Sequence, residues 1–204
     1  MTIPSNLFNK IFNIYFSTIT FRYIEQFFLN FFSFNLSSYN TAAVHALNII
    51  FFSISMFITN SSILKNVIIN LSSGYFLADC ISNIKNSNIS LNNFGYLSHH
   101  LITIYLLNFT NIDKILLIMG LFTLEVSNLP NYIVYPLIKY KADPKIISFF
   151  KKIQFIVYSI FRFFSIIPIV YYYKKKNFNN FFLFNMVLIY LMGVYWTYKL
   201  YKKL

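Results

Sequence analysis

The chain of 204 residues is short of acidic residues, glycine and cysteine, with five, four and one of them against 17 lysines and arginines. A single cysteine excludes an intrachain disulfide framework. Charged residues make up only 11% of the chain, which is too few to cover the surface of a soluble domain of this length. Together with 57% hydrophobic residues and a mean hydropathy of +0.58, this scarcity of charge is typical of a membrane protein.

The net charge of +12 is distributed as in a multi-spanning protein and not as in a nucleic-acid-binding domain. The basic residues collect in the short connections 139–152 and 174–176 and in the tail 199–203, which is the positive-inside pattern of membrane proteins. No separate basic domain is present to bind a duplex. The division of basic residues between the loops modestly favours a cytosolic C-terminus.

The sequence predicts up to seven membrane spans, because a hydrocarbon core of ~30 Å needs about 20 mainly apolar residues. The first stretch, Leu7–Phe32, contains three charged residues and is predicted to be one helix, with or without an interfacial segment. It lacks the pattern of a cleaved signal peptide. We therefore divide the chain into an N-terminal segment, 1–34, and a transmembrane domain, 35–204. The six clearer spans are Tyr39–Thr59, Asn66–Ile84, Phe94–Asn108, Ile115–Ile138, Ile147–Tyr173 and Phe178–Tyr198.

Polar side chains recur at helical spacing along five of these spans. Because lipid tails offer no hydrogen bonds, such faces are expected to turn toward one another or toward a water-accessible cavity. A simpler alternative is that each polar side chain bonds to a neighbouring helix or to its own backbone. The five stripes are Thr41, His45 and Asn48; Ser72, Tyr75, Asp79 and Ser82; Tyr96, His100, Thr103 and Thr110; Glu125, Asn128 and Tyr132; and Gln154, Tyr158, Arg162 and Ser165.

The predicted fold class is all-α, a multi-pass transmembrane bundle of six to seven helices. Helices two to seven are expected to form a closed ring around a polar-lined cavity. Gly74 and Ala78 form a pair of small residues four positions apart, which would let a neighbouring helix approach closely. The side chains expected to point into the ring are those of His45, Asp79, His100, Glu125 and Arg162.

Asp79, Glu125 and Arg162 are charged residues within predicted spans. Placing one Asp or Arg at mid-membrane costs ~2.5–3.5 kcal/mol, and a glutamate should cost a similar amount. Three of them together favour a functional polar site, with ion pairing inside the bundle as the structural alternative.

His99 and His100 stand side by side at the start of an apolar run, and imidazole is the side chain whose unperturbed pKa lies closest to neutrality. Helical periodicity places His100 on the polar face with Tyr96 and Thr103, and it places His99 on an apolar face. We therefore expect His100 to carry chemistry and His99 to pack or to support its neighbour.

From about Asn40 onward the chain resembles the TLC domain, the TRAM/Lag/CLN family of membrane proteins. The order and spacing of several short motifs carry the resemblance, and a late Trp196 fits the same pattern. These motifs are Val44-His45-Ala46; Ser73-Gly74-Tyr75-Phe76 with Asp79; His99-His100; Leu124-Glu125-Val126-Ser127; and Phe161-Arg162-Phe163 followed by Pro168.

Within this family the chain is similar to the smaller TLC-domain-containing proteins and not to the ceramide synthases. The synthases carry further histidine and aspartate residues in the helix after the double histidine, whereas here that helix contains Glu125 and Ser127. The chain also departs from the smaller proteins. Where they show a proline, an asparagine and an arginine, it has Leu129, Pro130-Asn131 and Val134.

The resemblance implies an endomembrane protein, usually of the endoplasmic reticulum, concerned with sphingolipid or phospholipid homeostasis. In the family's synthases the paired histidines assist acyl transfer to an amine, with acyl-CoA as co-substrate. Carried over, His100 would act as base or nucleophile, with His99 and Asp79 orienting it. The remaining candidates, expected to line the cavity and bind substrate, are His45, Tyr75, Thr103, Glu125, Tyr158 and Arg162.

Three functions stay open from the sequence. The first is binding, sensing or trafficking of a membrane lipid without catalysis, and the second is an acyltransferase of the ceramide-synthase type. The third is a bis-histidine haem protein that uses His45 and either His99 or His100. A metal hydrolase fits worse, since few carboxylates accompany the histidines, so no metal or resident cofactor is predicted. Besides lipid, a second copy of the chain or another membrane protein stays open as a partner.

Overall fold

The computed structural model describes residues 5–86, 91–108, 112–174 and 179–204, and in these ranges the chain forms helices and no strand. The predicted all-α class is confirmed. Thr110, part of one predicted polar stripe, lies outside the described residues. The helices are α1 (Ser5–Leu29), α2 (Phe34–Thr59), α3 (Ser62–Asn86), α4 (Leu91–Asn108), α5 (Lys114–Lys139), α6 (Pro144–Phe164), α7 (Ile166–Tyr173) and α8 (Asn180–Tyr201).

Each predicted span corresponds to a helix whose ends differ from the predicted ends by a few residues, with one internal difference. The single predicted span Ile147–Tyr173 is divided into α6 and α7, which meet at Ser165. Pro168 explains the break, because it has no backbone N–H to donate to Phe164 and its ring crowds that carbonyl group. Residues 175–178, with two lysines of a basic connection and the start of the last predicted span, lie outside the described residues.

The chain is a multi-pass membrane protein. The 18 residues of α4 extend about 27 Å, slightly less than the hydrocarbon core, and α1 carries Lys10, Arg22 and Glu25. Large apolar side chains elsewhere, such as those of Phe57 and Ile58, point away from the bundle toward the position of lipid. Five helical stretches of the described residues are long and apolar enough to cross a bilayer: Leu36–Thr59, Ser62–Lys85, Lys114–Lys139, Pro144–Tyr173 and Asn180–Tyr201.

The helices after α1 close into a ring. α2 contacts α3, α3 contacts α4, and α4 contacts α8; α8 then contacts α6 and α7, which contact α5, and α5 returns to α2. The predicted ring is confirmed, and α1 packs against α2 and α3 at its side. All five residues expected inside it are at most 6% exposed.

The five acidic residues all have partners in the structure. Asp113 and Asp143 cap the N-termini of α5 and α6, where each accepts a backbone N–H bond, at 2.7 and 2.6 Å respectively. Glu25, Asp79 and Glu125 are buried, and each lies beside a basic side chain. Because an unpaired carboxylate is costly inside a bilayer, these pairs favour particular helix neighbours. The partners are, in the same order, Arg22, His100 and His45.

A hydrogen bond from Ser82 to Glu25, which is paired with Arg22 within α1, and a close backbone approach hold α1 on α3. Arg22 Nη1 lies 2.8 Å from Glu25 Oε2, which also accepts a hydrogen bond of 2.5 Å from the Ser82 hydroxyl of α3. Nearer the start of α3, a Cβ atom placed on Gly74 would lie 2.9 Å from the backbone nitrogen of Thr18. The close approach predicted at Gly74 is therefore made by α1, at a point where only glycine fits.

Two residues of the predicted inward faces are placed differently by the structure. Asn48 is exposed, and its amide donates to the Val44 carbonyl oxygen at 2.8 Å. The prediction for Asn48 is wrong because the buried face of α2 is centred on Ile49 and Met56, and the amide is satisfied within its own helix. Tyr96 is 37% exposed and so lies at the edge of the ring.

We expect Gly74→Ala to loosen α1 from α3. The added methyl group overlaps backbone atoms that cannot move independently, and such overpacking typically costs about 1–3 kcal/mol. Gly95→Ala is the matched control, because nothing lies within 4 Å of a Cβ atom at Gly95 and alanine favours a helix. Thermal unfolding of both variants in detergent measures the difference. Equal stabilities would contradict the contact.

Candidate functional site

Two histidine–carboxylate pairs lie inside the ring. His45 Nδ1 of α2 is 3.5 Å from Glu125 Oε1 of α5. His100 Nδ1 of α4 is 3.3 Å from Asp79 Oδ2 of α3. All four side chains are buried, so each pair links two neighbouring helices without help from bulk water.

The rings of Tyr75 and Phe76 join the two pairs into one cluster. Tyr75 stacks on His45 with ring centroids 4.1 Å apart and an interplanar angle of 13°, and it lies 6.3 Å from His100. Phe76 lies 5.4 Å from His45 and 4.9 Å from His100. We call His45, Tyr75, Asp79, His100 and Glu125 the histidine cluster. Its members come from four different helices, as the polar stripes predicted.

The Asp79 carboxylate is held in place by several donors. Ser38 of α2 donates to Oδ1 at 3.3 Å, and Asn83 of α3, the helix of Asp79 itself, donates to Oδ2 at 3.0 Å. His100 lies on the remaining side and also hydrogen-bonds to the backbone of Phe76. An oriented carboxylate beside an imidazole is the arrangement that positions a general base. Here the imidazole is itself held by protein groups from two directions.

His99 and Arg162 lie on the other side of α4, toward α8. The His99 ring packs edge-on against Trp196 of α8, with centroids 5.3 Å apart. Arg162 of α6 lies over the ring of Tyr158 at 4.7 Å, and its Nη2 donates to Asn128 Oδ1 of α5 at 3.5 Å. Adjacent in sequence, the two histidines therefore have separate surroundings.

An apolar cavity of about 80 Å³ lies next to this polar region, between α4, α5, α7 and α8. Its walls include Gly120 and Leu124 of α5, Pro168 of α7 and Ile189 of α8. Among the residues expected to line a cavity, Thr103 of α4 does so. The others, which are not among its lining residues, are His45, Tyr75, Glu125, Tyr158 and Arg162.

Sequence reasoning missed the cavity because it followed polar residues only. Gly120 of α5 has no side chain at the wall of the cavity, and Pro168 lies in another wall, near the break between α6 and α7. A glycine inside one apolar helix and a proline inside another were the available signals for a gap in packing.

The described residues contain no group of three or more histidine, cysteine, aspartate or glutamate side chains arranged to hold a metal ion. No protein-family model, no curated protein and no solved structure matches the chain.

The Asp79–His100 pair should show energetic coupling. We expect Asp79→Leu and His100→Leu each to destabilise the protein by about 1–3 kcal/mol, because each leaves a buried polar partner behind. The loss of unfolding free energy in the double variant should be smaller than the sum of the two single losses, by about 0.5–3 kcal/mol. Chemical or thermal unfolding in detergent measures the stabilities of the wild type, the two single variants and the double variant. Asn48→Leu serves as control and should be nearly neutral, since Asn48 is exposed; additive costs in the cycle would argue against a coupled pair.

Proposed function

We propose that this integral membrane protein binds a membrane lipid inside its helical ring and acts in lipid homeostasis, by binding, sensing or trafficking that lipid. The observation that carries the proposal is the position of an apolar cavity directly beside a buried polar layer. We use the term polar layer for the histidine cluster together with His99 and Arg162. A lipid has the same division into an apolar chain and a polar group. Binding sites for such molecules are mostly apolar with a few convergent polar groups.

Helix geometry aligns the cavity with the polar layer. Thr103 lines the cavity and His99 lies four residues before it, about one turn along α4. On α5, Glu125 directly follows Leu124, another residue of the wall. On α8, Gly193 follows Ile189 by four residues. His99 and Glu125, together with Gly193, which contacts Arg162, thus lie at one end of the apolar space, where the polar group of a lipid would be placed.

The cavity volume limits what enters it. About 80 Å³ is well below the ~300–1,000 Å³ of typical ligand pockets. The cavity therefore accommodates the end of an acyl chain, and the rest of the molecule extends between helices toward the bilayer. Lateral access of this kind suits a ligand that is already dissolved in the membrane.

The resemblance to the TLC domain supports the same proposal and narrows its setting. We extend it to an endomembrane location, in the endoplasmic reticulum, and to sphingolipid or phospholipid as the ligand class. The C-terminus is proposed to be cytosolic, because α8 ends near Lys199 and Lys202 and the α5–α6 connection contributes Lys139 and Lys141.

A second candidate function, an acyltransferase of the ceramide-synthase type, is favoured by one observation. Asp79 is oriented toward His100 by donors from two helices, as a carboxylate that positions a general base would be. Binding without catalysis is the stronger proposal, because the cavity reaches α4 at Thr103 and not at His100. Haem ligation by His45 with either His99 or His100 is disfavoured by packing, since Ser72 lies 3.3 Å from His45 Nε2 and Glu125 lies 3.5 Å from Nδ1, so that protein groups face both ring nitrogens.

Filling the cavity should displace the lipid. Gly120 lines the cavity and a Cβ atom there meets nothing within 4 Å, so Gly120→Leu adds a side chain to the space without a backbone clash. We expect native mass spectrometry of the purified wild type to show bound lipid and that of Gly120→Leu to show several-fold less. Gly95→Leu, at an equally open position that is not among the lining residues, is the control. Equal lipid occupancy in all three proteins would refute binding in this cavity.

The acyltransferase candidate is tested on the histidine pair. If it holds, His100→Ala should abolish any acyl transfer and His99→Ala should reduce it less, because His99 packs against Trp196 and does not pair with Asp79. Lipid profiles of cells that make each variant at matched protein levels provide the measurement. A wild type that alters acyl composition, together with a His100→Ala variant that does so equally, would rule out catalysis through His100.

A further inference from the structure

Of the four buried side chains that have nitrogen atoms without a hydrogen-bond partner in the part of the chain that the structure describes, two also have no carboxylate facing those atoms. They are Arg162, through Nε and Nη1, and His99, through Nδ1. Arg162 is 4% exposed and His99 is 9% exposed. The unbonded Nδ1 atoms of the other two histidines face carboxylates, whereas these atoms do not. A buried charged donor left unpaired is costly, so a binding partner is expected.

The free nitrogen atoms gather between α4, α6 and α8. A Cβ atom placed on Gly193 of α8 would lie 2.9 Å from Arg162 Cδ, 3.5 Å from Nε and 3.6 Å from Nη1. The absence of a side chain at Gly193 therefore makes room for the Arg162 side chain against α8. His99 is within electrostatic reach of Arg162, and its ring packs against Trp196 of α8. Both side chains are thus held near α8 with nitrogen atoms that no described protein group binds.

The charge of Arg162 is only partly balanced by its neighbours. Asn128 accepts one weak hydrogen bond from Nη2, and the Tyr158 ring lies against the guanidinium group. Glu125 is within electrostatic reach, but its Oε1 atom faces His45 at 3.5 Å. No carboxylate of the described residues makes a salt bridge with Arg162. A negative charge from outside the chain would complete the balance.

We propose that Arg162 and His99 bind the anionic group, a carboxylate or a phosphate, of an amphiphile whose chain occupies the apolar cavity. This inference rests on the proposed lipid-binding function and specifies its ligand class. Ser165, three residues after Arg162, and Thr103, four residues after His99, both line the cavity. The anionic group and the chain would therefore lie about one helical turn apart. A guanidinium group suits this role because it stays charged and presents several donors to oxyanions.

The test on the wild type compares ligands that differ in charge and in chain. The full-length protein in detergent is titrated with decanoate, decyl phosphate, decanol, acetate and inorganic phosphate, and its melting temperature is followed. We expect decanoate or decyl phosphate to act at about tenfold lower concentration than decanol, because charge-assisted hydrogen bonds add to the same chain contacts. Acetate and inorganic phosphate should have no effect at those concentrations. Equal potency of decanoate, decyl phosphate and decanol, or equal effects of the short anions, would overturn the proposal.

Variants assign the preference to the site. Arg162→Gln should lose the roughly tenfold preference for the anionic ligand and still bind decanol. Gly193→Ala, whose methyl group overlaps Arg162 Cδ and so displaces the guanidinium group, should weaken binding of the anionic ligand, and Gly95→Ala should not. If Arg162→Gln does not fold, Gly193→Ala and the wild-type comparison decide the question. Binding of no amphiphile by the wild type would refute the proposed function itself, whereas binding without preference for the anion would refute only this inference.

Discussion

The structure depends on the inability of a bilayer to solvate polar and charged groups, so that the buried carboxyl groups of the bundle lie beside partners on the protein. Glu25 joins α1 to α3 through Ser82, His100 joins α4 to α3 through Asp79, and His45 joins α2 to α5 through Glu125. Apolar faces alone would allow many arrangements, because lipid tails are as apolar as leucine. These pairs select one order of helices around the ring.

Such pairs contribute more to specificity than to stability. A buried ion pair recovers little more than the free energy lost by removing its groups from water, whereas breaking it leaves an uncompensated group. Tyr75 stacks on His45 and lies near His100, so that the two histidine–carboxylate pairs form a single cluster. The cavity lies where no pair draws the helices together, beside Gly120 and the α6–α7 break near Pro168.

The interior of the ring is divided into regions of different chemical character. In the histidine cluster the imidazole Nδ1 atoms face the cluster's own carboxylates at 3.5 and 3.3 Å. Arg162 and His99, on the α8 side of the same layer, keep unpaired nitrogen atoms. The cavity continues from that side and is lined mainly by apolar residues. A bound amphiphile would therefore complete the polar layer where the protein leaves it incomplete.

The sequence by itself determined the membrane character, the positions of the helices and most of the polar residues that face the ring, because hydropathy and helical periodicity are local properties of the chain. It could not place Asn48, whose exposure depends on which face of α2 meets its neighbours, whereas the break at Ser165 had a local signal in Pro168. Tertiary structure alone decided that His45 pairs with Glu125 and that His99 and His100 face different partners. It also decided where the cavity lies, since pairing and gaps in packing arise between helices distant in sequence, and no local pattern encodes their distances.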